Sequence, residues 1–153
     1  MTRFTASNSS EATLKSSRKD VWEALTDPKL LPRLTPYLHR IDVDGDRWTW
    51  NVAKVPILGK SIGTTFTEVM TFDEPHRIGF THDETRSDES SGVEGEYLLE
   101  EAGSGCHVAI DLGVTVDMPF PKATRRAVEA TMRGVMAAMG RRFAHNLLKH
   151  LGE

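Results

Sequence analysis

MPFPKATRRAVEATMRGVMAAMGRRFAHNLLKHL, residues Met118 to Leu151, is the stretch whose reading decides the fold. The Met118-Pro119-Phe120-Pro121 phrase announces a helix, and Lys122 to Leu151 reads as one long C-terminal helix. Val128, Met132, Met136, Met139, Phe143 and Leu147 recur at steps of three and four, which places them on one helical face. Arg125, Arg126, Arg133, Arg141 and Lys149 lie on the other side. Almost everything between the first helix signal and this one alternates like β-strand. One long amphipathic helix must then bury its stripe against one sheet, an arrangement that tends to leave a cavity.

Working outward, Phe4 to Leu14 reads as a first strand with weak alternation. Ser16 or Ser17 caps a helix with Asp20 in its first turn. Val21, Trp22, Ala24 and Leu25 belong to that helix, which ends at Thr26-Asp27-Pro28. A second short helix spans Lys29 to Leu34. Strands follow at Leu38–Asp44, Arg47–Lys54, Thr64–Phe72, Arg77–His82, Val93–Glu100 and Cys106–Asp117. Turns fall at Asp44-Gly45-Asp46, Asp73-Glu74-Pro75 and Ala102-Gly103-Ser104-Gly105. Pro56 and Gly59 mark a break, and Thr85 to Gly92 is the best candidate for a mobile loop. Such short connections imply antiparallel pairing, because parallel strands need long crossovers.

Composition limits the function classes. The 153 residues carry a formal net charge of −3 and a single cysteine, Cys106. That length predicts one domain, residues 1–153. No strong basic excess points to nucleic acid. No run of about 18 apolar residues predicts a membrane span, and Met1 to Ser10 lacks the apolar core of a signal peptide. A cytoplasmic location is expected, which the lone cysteine fits. Charge is uneven: Asp83 to Glu101 is acid-rich and the terminal helix base-rich. Solvated outer faces account for this; a homodimer or partner pairing the two flanks is the alternative.

The candidate functional residues follow from alternation. Trp48, Trp50 and Val52 share one strand face, and Phe66, Met70, Ile78, Phe80, Tyr97 and Leu99 are expected to join the same interior. Met132, Met136 and Met139 face the sheet with flexible, polarizable side chains that mould to apolar ligands. Three polar groups fall on apparent inner faces. Glu68 lies between Phe66 and Met70, His82 follows Ile78 and Phe80, and His39 alternates with Ile41 and Val43. A carboxyl buried there has a raised pKa, which suits general acid–base work. A one-residue bulge would turn any of them outward. Cys106 and His107 point to opposite faces and form no dyad. The histidines lack metal-ligand spacing, and Leu58-Gly59-Lys60-Ser61-Ile62-Gly63 is not a phosphate loop. No metal or cofactor is expected.

The order of elements and several phrases resemble the START-like or SRPBCC superfamily, which includes bacterial polyketide cyclase/dehydrase-like proteins. Those phrases are Asp20-Val21-Trp22-Glu23-Ala24-Leu25-Thr26-Asp27-Pro28, Leu31-Pro32 to Pro36, Asp73-Glu74-Pro75-His76-Arg77-Ile78 and Pro119-Phe120-Pro121 with the helix after it. The resemblance implies an α+β helix-grip fold. In it a curved antiparallel sheet of about seven strands grips the terminal helix around an apolar pocket, with two short helices after the first strand. Three functions are then expected, in this order. The first is a carrier or sensor of a lipid, fatty acid or polyketide. The second is a polyketide cyclase or dehydratase using Glu68, His82 or His39, with Tyr97 orienting substrate. The third is a protein-interaction module working through the basic helix face.

Overall fold

The structure is a computed structural model and describes residues 1–153. The elements run β1 (Thr2–Leu14), α1 (Arg18–Leu25), α2 (Leu31–Leu34), β2 (Leu38–Asp44), β3 (Arg47–Ile57), β4 (Lys60–Asp73), β5 (Arg77–His82), β6 (Ser91–Ala102), β7 (Gly105–Met118), a 3₁₀ turn (Lys122–Thr124) and α3 (Arg125–His150). The strands form one seven-stranded sheet ordered β1-β7-β6-β5-β4-β3-β2. Every pair in it is antiparallel, as short connections require. β1 and β2 follow each other in the chain yet lie at opposite edges. The α1–α2 segment joins them across one end of the sheet.

Local chemistry accounts for the short helices. The Ser17 hydroxyl accepts the Asp20 amide at 3.2 Å, which caps α1. Val21, Trp22, Ala24 and Leu25 are buried. The Asp27 carboxyl then accepts the Lys29 amide at 2.9 Å and the Leu30 amide at 3.3 Å, making a turn where a longer second helix was expected. The expected break at Pro56 and Gly59 is instead the tip of a long β3–β4 hairpin. Val55 to Ile57 pairs with Lys60 to Ile62 beyond a bulge. Leu58 and Gly59 turn it at φ 45° and 80°, the left-handed backbone that a two-residue hairpin turn demands.

α3 lies across the sheet and is held at both ends. Near its start, Val128 and Met132 pack with Phe4, Ala6, Ile57, Val116 and Met118. The Glu129 carboxylate accepts the Thr5 amide of edge strand β1 at 2.8 Å. Near its end, Leu147 joins a larger core with Val21, Trp22, Leu25, Leu31 and Leu34. There the Asn146 amide donates to the Leu34 carbonyl at 2.9 Å. The Glu153 carboxylate takes the Lys15 and Ser16 amides at 2.7 and 3.1 Å. The two cores thus sit under the two ends of the helix, and its middle crosses the space between them.

Phe4 anchors the first of these cores. It is fully buried, meets Phe120 edge-on at 6.3 Å and lies 5.4 Å beneath the Arg125 guanidinium. Phe4→Ala is expected to destabilise the fold by about 3–5 kcal/mol, the usual range for losing a buried phenylalanine. Chemical denaturation measures this. A loss below about 1 kcal/mol would show that α3 does not depend on this contact.

The Thr85–Gly92 stretch, expected as a mobile loop, is tied to the sheet by one acid just before it and one within it. Asp83, 2% exposed, pairs with Arg47 at 2.9 Å and accepts the Thr85 hydroxyl at 2.7 Å. The Thr85 hydroxyl, with Arg47 beside it, holds the Asp83 carboxyl below the usual range. The Glu89 carboxylate accepts the backbone amide and hydroxyl of buried Thr67, both at 2.7 Å. These two acids therefore close the sheet where β5 ends, instead of decorating a solvated face.

Candidate functional site

Between the two cores lies a cavity of about 310 Å³, roofed by the middle of α3 and floored by the inner face of the sheet. That volume falls at the lower end of the roughly 300–1,000 Å³ typical of small-molecule sites. Of its 32 lining residues 25 are hydrophobic, so an apolar occupant suits it better than water. Trp48, Trp50, Phe66, Met70, Phe80, Tyr97, Met132, Met136 and Met139, all expected from alternation, line it together. Trp50 and Phe66 stack with planes 9° apart and centroids 6.1 Å apart. Phe80 meets Tyr97 at 6.1 Å and 58°. Cross-strand register makes the first pair, since Trp50 sits opposite Phe66 on neighbouring strands.

The cavity reaches solvent at one side. Ser10 of β1 and Gly140 of α3 line it and are nevertheless exposed. Small side chains at Asn8, Ser10 and Gly140 leave this side unsealed, whereas Phe4 and Met132 close the neighbouring level. Asn8, Ser10 and Gly140 were not among the wall residues expected from alternation. Nor were Ile110, Leu112 and Val114 of β7, which form part of the floor, although the clear alternation of β7 carried that signal.

Close backbone approach does not explain the two helix glycines. A Cβ added at Gly134 or Gly140 would meet nothing within 4 Å. Gly134→Ala and Gly140→Ala are each expected to raise stability by up to about 1 kcal/mol, from helix propensity alone. A thermal melt of each variant checks this, and a fall in melting temperature would reveal a role for the glycine that packing does not show.

Three polar residues were expected to point inward, and the structure separates them. Glu68 does line the cavity and is 2% exposed. Burial pushes its pKa up to about 8, with the nearby Trp50 indole partly offsetting the shift. The indole and carboxyl lie close without a well-formed bond. Trp50 Nε1 and Glu68 Oε1 are both buried and both lack a hydrogen-bond partner. The Tyr97 hydroxyl feels the same carboxyl; burial first, then the Glu68 charge, raise its pKa.

His82 and His39 are corrections. His82 pairs with Glu68 across β4 and β5, so alternation gave its face correctly. Its ring nevertheless stays out of the cavity wall. It packs over Gly92, where an added Cβ would sit 3.0 Å from the ring Cγ, and its Nδ1 is buried without a partner. His39 is exposed. A bulge between Leu38 and Arg40 shifts the register, so Leu38 takes the inner position that strict alternation assigned to His39. No three His, Cys, Asp or Glu side chains converge to hold a metal, and no helix is long and apolar enough to cross a membrane.

Among solved structures, a Thermus thermophilus protein matches at a TM-score of 0.73 and 15% identity, covering 95% of this chain and 96% of that one. A START superfamily protein from Mycobacterium smegmatis matches at 0.70 and 14%, covering 95% and 97%. The Zhui aromatase/cyclase from a Streptomyces species matches at 0.71 and 12%, covering 97% and 94%. At such identities the likeness shows a shared fold: the curved antiparallel sheet around a long terminal helix is the START-like, helix-grip fold. No curated protein matches the chain in sequence. The family model described as "Polyketide cyclase / dehydrase and lipid transport" matches residues 1–152, and the chain, with its apolar cavity under the terminal helix, belongs to that family.

Proposed function

We propose that the protein binds a hydrophobic small molecule in the cavity beneath α3 and acts as its carrier or sensor. The observation behind this reading is a largely apolar space of about 310 Å³ that opens to solvent beside Gly140. Burial would supply the affinity. A ligand losing about 300 Å² of apolar surface gains roughly 7 kcal/mol at 25 cal/mol per Å². Association costs offset part of that, so dissociation constants near the micromolar range are the tightest expected from apolar contact alone. Three methionines along the roof let it adapt to the ligand's outline. Native mass spectrometry of the purified protein, followed by titration with a neutral fluorescent probe, tests the reading. A co-purified small molecule or saturable probe binding supports it. Absence of both would remove the ligand-site reading.

A second reading is favoured by Glu68 alone. A carboxyl with its pKa near 8 on a cavity wall is a neutral acid at pH 7, able to donate a proton to a bound polyketide and take one back. In this reading Glu68 does the acid–base work of a cyclase or dehydratase, and Tyr97 orients the substrate. His82 and His39 have no part, since neither reaches the cavity. Incubation with a model poly-β-ketone separates the two readings. Glu68→Gln would change the product distribution of an enzyme and leave that of a carrier the same as the uncatalysed mixture.

A further inference from the structure

We infer that the cavity reads one uncharged oxygen function, a hydroxyl or a ketone, on an otherwise apolar molecule, held between the Trp50 indole N–H and the Glu68 carboxyl, and that it discriminates against carboxylates and ammonium groups on the same skeleton. This rests on the proposed ligand-binding reading and narrows it to a class.

The argument starts from two orphans. Trp50 Nε1 and Glu68 Oε1 are both buried without a partner on adjacent strands of the cavity floor. Buried polar groups in folded proteins are nearly always paired, and an unpaired one costs about 1–3 kcal/mol. Two unpaired groups side by side on the wall of a ligand-sized space are therefore well accounted for by a ligand atom that pairs both. Tyr97 and Thr35 also line the cavity, and their hydroxyls, neutral donors and acceptors, suit the same oxygen function. The Thr64 and Ser91 hydroxyls bond to each other, and Asn8 and Ser10 sit on the β1 side.

The chemistry of the two groups selects the partner. Trp50 can only donate. Glu68 as a neutral acid can donate from one oxygen and accept at the other. A ligand hydroxyl accepts from the indole and donates to the carboxyl oxygen; a ketone accepts from the indole and from the acid proton. An ammonium group has no lone pair for the indole and needs Glu68 ionised in a buried place. A carboxylate meets no counter-ion, because the lining contains no Lys, Arg or His, and burying it unpaired is costly. The raised Glu68 pKa agrees, since it keeps the group neutral at pH 7. Neither orphan atom is accessible from the cavity as the side chains stand. A turn of the carboxyl about its last torsion, which is broad and soft, brings an oxygen to the ligand, and the ligand oxygen is met only when the indole tilts about its broad χ2 torsion as well.

The test uses the full chain at pH 7 and the neutral probe N-phenyl-1-naphthylamine. Decan-1-ol, decan-2-one, decanoate and decylammonium each compete for it. The alcohol and ketone are expected to displace the probe at concentrations about tenfold or more below those of the two ions, the size of one good hydrogen bond. Trp50→Phe and Glu68→Leu should each erase most of that advantage. Glu68→Gln, which keeps a donor and an acceptor in the same shape, should retain it and controls for misfolding. Decanoate or decylammonium competing as well as the alcohol would overturn the inference and leave the ligand-site reading standing. So would an advantage that survives both Trp50→Phe and Glu68→Leu. Failure of the probe and all four competitors to bind would sink the ligand-site reading itself, and this inference with it.

Discussion

Glu68→Gln is expected to stabilise the protein, and by an amount that grows with pH. In the unfolded chain the Glu68 carboxyl ionises near 4.5; in the fold it ionises at about 8. Below pH 4.5 both states hold the proton and the variant gains little. Between the two values the unfolded chain releases its proton while the native protein keeps it, so native stability falls as pH rises. Above pH 8 both states are ionised and the penalty levels off. At about 1.4 kcal/mol per pH unit the full span is worth about 5 kcal/mol, a ceiling, because water entering the cavity screens the charge. At about 2–4 °C per kcal/mol, a gain of up to about 10–20 °C is expected above pH 8. Melts of both proteins at pH 5, 7 and 9 measure it. An offset independent of pH would mean that the carboxyl is not desolvated as its position implies.

A residue that weakens the fold under ordinary conditions invites a reason for its presence. Glu68 has no buried cationic partner and no completed hydrogen bond at Oε1, so it does not repay its burial within the protein. Departures of this kind cluster at functional sites.

Met136→Trp is the second large effect. Met136 lines the roof of the cavity and is half-buried. An indole there takes up much of the space that a ligand would use, while adding contacts to a wall that now has few. Probe affinity is expected to fall about 100-fold or more, close to 3 kcal/mol. Thermal stability should hold or rise, as cavity filling usually gives. Undiminished affinity in a folded variant would place the binding site elsewhere. Loss of folding would instead show that the wall has no room for the indole.

The extent of what the chain revealed in advance differs between elements. The α3 stripe and the alternation of β3, β4 and β7 are periodic over many residues, so their faces could be read directly. Boundaries drifted where local chemistry competes with periodicity. The Asp27 turn delays α2 until Leu31, and the Leu58-Gly59 turn extends the β3–β4 hairpin past an expected break. His39 failed for a reason that alternation cannot contain, a single extra residue in β2. His82 failed differently: its face was right, but β5 ends at His82 and the ring fills the gap over Gly92.

The sequence by itself determined the faces of α3, β3, β4 and β7, the antiparallel order implied by short connections, and the inward position of Glu68. Those properties depend on residues a few positions apart. Only the tertiary structure decided that α3 is anchored at its two ends, by β1 and the sheet at the first and by α1 and α2 at the second, and stands off the sheet in its middle. That separation depends on bulk at Phe4, Met132 and Leu147 against small side chains at Asn8, Ser10 and Gly140, contacts between residues more than a hundred positions apart in the chain. The orphaned Trp50 and Glu68 atoms belong to the same category, because a missing hydrogen-bond partner is a fact about three-dimensional neighbours and leaves no trace in local spacing.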